Sequence, residues 1–74
     1  MNASIYSDDH KFTVKQLKKA RLESGFDQEK VAELLGRTQS YISKIESGQR
    51  KIDITQLKQF AYIYKKPIKY FIKE

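Results

Sequence analysis

The sequence predicts a compact all-α fold of five short helices, and two observations support this prediction. Between residues 12 and 74 the apolar side chains recur every three or four positions, as on one face of a helix, and no segment alternates as a strand does. Each helical segment is also bounded by residues typical of helix starts and stops. With 74 residues the chain makes at most one domain, which has a small core.

The first predicted helix follows a polar leader. Residues 1–11 mix small, polar and charged side chains without a helical period, which predicts a flexible segment ahead of the domain. Thr13 and Gln16 have the spacing of a capping box, so we expect the helix to start at Thr13. Gly25 can adopt the left-handed conformation that ends a helix. The first helix is therefore predicted over 13–24.

Two short helices separated by a tight turn come next. Asp27 is the expected N-cap of the second helix, which ends at Gly36. Thr38 is the expected N-cap of the third helix. Its aliphatic residues, Ile42 and Ile45, are three positions apart and are expected to face inward. This pair of helices and its short turn indicate a helix-turn-helix unit.

The fourth and fifth helices complete the predicted fold. Asp53 and Gln56 have the spacing of a second capping box, which opens the strongest amphipathic segment of the chain. Its predicted inward stripe consists of Ile54, Leu57, Phe60, Ala61 and Tyr64. Pro67 fits the first position of a last helix over 67–74. The apolar side of that helix is Ile68, Phe71 and Ile72.

The charge of the chain favours a polyanionic partner. Fifteen Lys and Arg against nine Asp and Glu give a net charge of +6, and residues 38–74 carry eight basic and three acidic side chains. Solubility is the alternative explanation of this excess. RNA is a less favoured polyanion, because the aromatic residues fall on inward helical faces rather than on a strand platform.

Composition argues against several other functions. The chain has no cysteine and a single histidine, His10, so neither a metal nor another cofactor is expected. Without paired carboxylates or a phosphate-binding glycine loop, an enzyme is not expected either. No apolar run approaches the roughly 20 residues that cross a bilayer, and the N-terminus does not read as a signal peptide. We therefore expect a cytoplasmic protein without a membrane partner.

Residues 28–48, QEKVAELLGRTQSYISKIESG, resemble the helix-turn-helix of the Cro and C1 repressor type, also called the xenobiotic response element family. Small Ala32 suits the crossing of two helices, and Gly36 suits the turn. The resemblance extends over 17–72 without an insertion. It implies a lambda-repressor-like domain with the helix-turn-helix at helices two and three. Lys65 departs from the family, which often has Gly or Asn there, so a strained or differently shaped corner is expected.

The resemblance implies that the helix over 39–47 lies in the DNA major groove and contacts bases. The expected base-contacting residues are Thr38, Gln39, Ser40, Ser43 and Lys44. Gln39 is the first choice because its amide can pair with adenine N6 and N7, which is worth about 1–3 kcal/mol against a wrong base. Lys44 can donate to guanine. Two interpretations remain for Tyr41: it contacts a thymine methyl or sugar, or it covers the turn.

Other residues receive supporting roles from the resemblance. The expected phosphate contacts are Gln28, Arg37, Arg50 and Lys51, with solvated surface charge as the alternative for the basic ones. Arg21 and Glu46 match positions that form a structural ion pair in the family. If that pair is buried, removal of one partner should cost about 3–5 kcal/mol and unfold the domain.

The function implied is sequence-specific binding of double-stranded DNA by a transcriptional regulator. A repressor is favoured over an activator, and we expect a homodimer on a palindromic operator with half-sites about 34 Å apart. Tyr70, Phe71 and Ile72 are candidate interface residues; alternatively, Ile68 and Phe71 only complete the monomer core. A regulatory protein partner is a further candidate. The rival function is an antitoxin or another protein-interaction module that uses the same fold.

Overall fold

The computed structural model describes residues 7–74, which contain four α-helices, one 3-10 helix and no strand. The helices are α1 (Asp8–Ser24), α2 (Gln28–Leu35), α3 (Gln39–Glu46) and α4 (Ile54–Tyr64), and the 3-10 helix is Ile68–Phe71. The all-α class and the helix-turn-helix at α2 and α3 are thereby confirmed. The fifth α-helix is not, because the last segment forms a single short 3-10 helix.

Helix α1 begins five residues earlier than the sequence predicts. Its N-cap is Ser7, whose side chain accepts a hydrogen bond from the backbone N–H of His10 at 3.1 Å. Asp8 is one of two acidic residues in the first turn, where negative charge is favourable to the helix dipole. The predicted start at Thr13 is therefore wrong, because Ser7 caps the helix upstream of it and acidic residues follow in the first turn.

The side chains of the expected capping box at Thr13 and Gln16 have other partners. Thr13 Oγ1 donates to a carbonyl of the 3-10 helix at 2.6 Å, and Gln16 Nε2 donates to the neighbouring carbonyl at 3.2 Å. Residues 8–11, expected in the flexible leader, form the first turn of α1. Residues 1–6 of that leader lie outside the described residues.

The caps of the remaining α-helices agree with the predictions. The side chain of Asp27 accepts from a backbone N–H of the first turn of α2 at 2.7 Å, and that of Thr38 does the same for α3 at 3.1 Å. Asp53 and Gln56 form a reciprocal capping box at the start of α4. All four α-helix starts are therefore capped by a side chain within one turn of the boundary, and the sequence predicted three of them.

Two helix ends show why the chain can turn sharply. Gly36 ends α2 with φ 65°, a left-handed conformation that costs glycine little. Lys65 ends α4 with φ 56°, and it is the only residue other than glycine with positive φ within 7–74. A side chain in this conformation costs roughly 1–2 kcal/mol. The corner at Lys65 is strained, as expected from its departure from the family pattern.

A single core lies where the four α-helices and the 3-10 helix meet. Its buried apolar members are Leu17, Ala20, Val31, Ala32, Tyr41, Ile42, Ile45, Leu57, Phe60, Ala61, Tyr64 and Phe71. Ile54, predicted on the inward stripe of α4, is 56% exposed, because it occupies the first position of the helix, outside the packed contact. Within residues 7–74, no helix is both long enough and apolar enough to cross a membrane.

The last segment differs most from its predicted form. Pro67 has extended backbone angles and precedes the 3-10 helix instead of occupying the first position of an α-helix. The carbonyls of Tyr70 and Phe71 accept from side chains of α1, so these groups are satisfied by tertiary contacts rather than by a continuing helix. Phe71 is fully buried. The segment therefore packs on the core and contributes one buried aromatic ring to it.

Candidate nucleic-acid interface

Helix α3 presents one face to the core and the opposite face to solvent. Ile42 and Ile45 are fully buried, which fixes the rotation of the helix. Four of the residues expected to contact bases are exposed and one, Ser43, is half-buried; the exposed ones are Thr38, Gln39, Ser40 and Lys44. This outer face has no acidic side chain. It can approach a polyanion without repulsion and offers hydroxyl, amide and ammonium groups for hydrogen bonds.

A buried ion pair lies directly behind α3. Arg21 Nε donates to Glu46 Oε2 at 2.7 Å and Arg21 Nη2 donates to Glu46 Oε1 at 3.0 Å, with side-chain exposures of 10% and 5%. Arg21 Nη1 also donates to the carbonyl of Phe26 at 2.9 Å. The hydrogen bonds to Glu46 raise the pKa of Arg21, against the opposing effect of burial. The pair joins α1 to the end of α3.

Two glutamines extend this ion pair to the surface. Gln28 Nε2 donates to Glu46 Oε1 at 3.2 Å, and Gln28 Oε1 accepts from Gln39 Nε2 at 2.6 Å. We call this set, Arg21, Glu46, Gln28 and Gln39, the glutamine relay. A carboxylate only accepts, so it must face the amide nitrogen of Gln28, whose oxygen then faces Gln39. Each member therefore fixes the orientation of the next.

The relay changes the picture of Gln28 given by the sequence. Gln28 is expected to contact phosphate, but its side chain uses both ends within the protein. Its backbone N–H, at the start of α2, is the group that could still bind an anion. The contact with Gln39 was missed. The available signal was positional, because each glutamine is the first residue of its helix and a tight turn brings those two helix starts together.

Two of the basic residues expected at phosphates share one aromatic ring. The guanidinium carbons of Arg37 and Arg50 each lie 4.9 Å from the ring centroid of Tyr41. The ring is part of the core cluster and Tyr41 is only 7% exposed, which agrees with its covering the turn rather than contacting a base. Both arginines and Lys51 are exposed. Among the ion pairs found within 7–74, none involves these three residues.

The C-terminal residues considered for a dimer interface are in different environments. Phe71 is fully buried, so it is unavailable to a partner, and its assignment to an interface is wrong. Tyr70 is half-buried, with its ring 5.0 Å from that of Phe71 and the ammonium of Lys66 at 4.8 Å from its centroid. Ile72 is 44% exposed. In the described part of the chain, no cluster of His, Cys, Asp and Glu could hold a metal ion.

Solved structures with the same fold occur in longer chains and in chains of similar length. Hydroxypropylphosphonic acid epoxidase from S. wedmorenis, in complex with fosfomycin, matches with a TM-score of 0.81 and 24% identity, over 90% of this chain and 36% of its own. The restriction-modification controller protein C.AhdI from Aeromonas hydrophila matches with a TM-score of 0.77 and 24% identity, over 85% of this chain and 96% of its own. At these identities the likeness shows the fold alone.

The extent of these matches differs in the two cases. This chain corresponds to about a third of the length of the epoxidase, and the enzyme activity belongs to that longer protein. It corresponds to nearly all of the controller protein. A search of curated proteins gave no match.

The sequence profile of the helix-turn-helix family HTH_3 matches residues 17–71, which is most of the chain. The matched region contains α2, α3, α4 and the 3-10 helix, together with the glutamine relay and Tyr41 with its two arginines. It agrees with the resemblance to the Cro and C1 type that the sequence showed between 17 and 72. The chain belongs to the HTH_3 family of helix-turn-helix proteins.

Proposed function

We propose that this protein is a repressor that binds a palindromic operator as a homodimer and reads bases chiefly through Gln39. The observation that carries the proposal is the glutamine relay, which connects an exposed amide on α3 to a buried ion pair. A side chain held in this way loses less conformational entropy when it binds DNA. Gln39 is therefore better prepared for base recognition than a free surface glutamine.

The hydrogen bonds left open on Gln39 match those of adenine. One N–H of Nε2 is donated to Gln28, so the second N–H and the Oε1 acceptor remain. Adenine presents in the major groove an N7 acceptor and an N6 donor, which is the complementary pair. Gln39 is thus expected to select adenine by about 1–3 kcal/mol against a wrong base.

The other exposed residues of α3 take secondary roles. Lys44 reaches guanine O6 and N7 or a phosphate, and Ser40 and Ser43 contact either bases or phosphates, so they discriminate less. The side chain of Thr38 caps α3, so Thr38 sets the start of the helix and offers mainly its backbone to DNA. The DNA backbone is held by Arg37, Arg50, Lys51 and the N–H of Gln28.

A homodimer follows from the small reading surface of one domain. A single short helix contacts few base pairs, whereas two copies placed about 34 Å apart double the recognised sequence. Tyr70 and Ile72 are the proposed interface residues, because, unlike buried Phe71, each keeps some exposure. Occupation of a promoter by such a dimer is sufficient for repression.

The proposal is tested by selecting preferred duplexes from a random DNA pool. A palindromic winner is expected, and its affinity should fall with a slope of about 0.9 in log salt for each neutralised phosphate. Gln39→Ala should lose the base preference at one position in each half-site. The matched control is Gln59→Ala, an exposed glutamine on α4 that should change nothing. No enriched sequence, or an unchanged preference in Gln39→Ala, would contradict the proposal and direct the search to protein partners.

A further inference from the structure

We infer that Tyr41 is a positioning residue that holds Arg37 and Arg50 as one paired clamp for successive phosphates of a DNA strand. The inference rests on the proposed binding of DNA. It assigns a role in that binding to a residue that does not itself contact the nucleic acid. Its basis is the placement of two guanidinium groups, each with its carbon 4.9 Å from the centroid of the Tyr41 ring. We call these three residues the arginine clamp.

The clamp joins the two ends of α3. Arg37 lies in the turn before the helix, and Arg50 lies in the segment after it. Because both guanidinium carbons are 4.9 Å from one centroid, they are separated by at most twice that distance. Successive phosphates of a DNA strand rise by about 3.4 Å along the axis, so within this limit the two guanidinium groups can reach neighbouring phosphates of one strand. Two side chains distant in sequence thus form one site.

The two arginines of the clamp are without an anionic partner among residues 7–74. In the part of the chain that the structure describes, neither arginine takes part in an ion pair. Two like charges so close together repel each other, and the negative face of an aromatic ring offsets only part of that repulsion. A phosphate anion would remove the rest, so the arrangement favours a ligand with several negative charges.

The ring offers a fixed surface to two flexible side chains. Tyr41 is 7% exposed and packs in the core cluster, and its backbone N–H is capped by Thr38. A guanidinium that rests against an aromatic face keeps its in-plane N–H donors free for phosphate oxygens. The stacked arginines have therefore lost part of their conformational entropy before they bind DNA, which lowers the entropic cost of binding.

The test compares Tyr41→Leu with Tyr41→Phe on a duplex of arbitrary sequence at low salt. Phenylalanine keeps the aromatic face, so its affinity should stay within about twofold of the original. Leucine removes the face, so its affinity should fall about 5- to 30-fold, as expected for two exposed cation–π contacts. The salt slope should decrease by about 0.9 for each phosphate that the variant no longer neutralises.

A double-mutant cycle separates positioning from a general effect on the fold. In the background of Arg37→Gln with Arg50→Gln, Tyr41→Leu should cause no further loss of affinity. An equal loss in both backgrounds would overturn the inference. A loss confined to a selected operator would also overturn it, since Tyr41 would then read a base.

Lysine substitutions at the exposed arginines test the clamp without disturbing the core. Arg37→Lys with Arg50→Lys keeps both charges but lacks the planar group that stacks and donates in pairs. This variant should bind at least about threefold more weakly, and unchanged affinity would overturn the inference. Because the duplex is arbitrary, these outcomes do not depend on whether Gln39 reads an operator. If the unmodified protein bound no duplex, both the clamp and the proposed function would fall.

Discussion

The glutamine relay and the arginine clamp act on the same helix by different physical means. The relay reaches Gln39 through hydrogen bonds that begin at a buried ion pair with side chains 10% and 5% exposed. The clamp consists of exposed charges that rest on a ring at the edge of the core. Directional bonds anchored in the interior suit discrimination between bases, whereas exposed charges suit attraction to any phosphate. Under the proposed function, specificity and affinity are thus supported by separate parts of the domain.

The largest effect is expected where the relay enters the core. Glu46→Ala leaves Arg21 charged and without its bidentate partner, so the free energy of unfolding should fall by about 3–5 kcal/mol. Thermal or urea unfolding measures this decrease, and DNA binding should disappear with the fold. The control is Glu33→Ala, which removes an exposed pair with Lys30 and should cost under about 1 kcal/mol. A folded, cooperative Glu46→Ala protein of undiminished stability would contradict the structural role of the pair.

Removal of the middle of the relay should separate specificity from folding. Gln28→Ala takes away the acceptor that orients Gln39 and the amide that donates to Glu46. We expect the preference for adenine over other bases to decrease by about 0.5–1.5 kcal/mol, because one hydrogen bond no longer holds the reading amide. Binding of duplexes with single base changes measures this. Equal weakening on all duplexes would mean that Gln28 acts only on phosphate.

A change in the clamp should lower the affinity for DNA and leave the base preference unchanged. Arg50→Gln removes one phosphate contact, so affinity should fall by a similar factor on operator and arbitrary DNA. The slope of log affinity against log salt should decrease by about 0.9. Lys73→Gln is the matched control, because it removes one exposed positive charge at the other end of the chain. A change in base preference with Arg50→Gln would break the separation between relay and clamp.

The smallest effect is expected at a corner that belongs to neither site. Lys65→Gly relieves a positive φ of 56°, but glycine also increases the entropy of the unfolded chain. The net result should be a gain of about 0.5 kcal/mol in unfolding free energy, with DNA affinity unchanged apart from the effect of removing one charge. Lys65→Asn, which tolerates the left-handed conformation, should have a similar effect. Destabilisation by both variants would show that the corner is not strained.

The middle of the fold could be predicted because its signals are local. Asp27, Thr38 and Asp53 cap helices within their own first turn, so the residues at each boundary were sufficient. The start of α1 has a local cap as well, at Ser7, but the spacing of Thr13 and Gln16 pointed to a later position. The last segment could not be predicted from local signals. The side chain of Thr13 bonds to the carbonyl of Phe71, which is 58 residues away, and such a contact leaves no periodic pattern. Tertiary bonding therefore decided the form of the last segment.

The candidate site shows the same division. The outer face of α3 followed from the inward spacing of Ile42 and Ile45. The relay did not, because it depends on how two glutamine side chains meet across the turn. The contacts of Tyr41 depend likewise on the path of two long arginine side chains. Periodicity indicates which side chains are exposed, but it does not show what holds them in place.

The central claim is that base reading by Gln39 is anchored through Gln28, and a double-mutant cycle tests it most directly. The affinities of the original protein, Gln28→Ala, Gln39→Ala and the double variant are measured on the selected operator and on an operator changed at the adenine. We predict that, in the Gln39→Ala background, Gln28→Ala causes no further loss of discrimination between the two duplexes. Independent, additive losses would contradict the claim, because the two glutamines would then contribute to recognition separately.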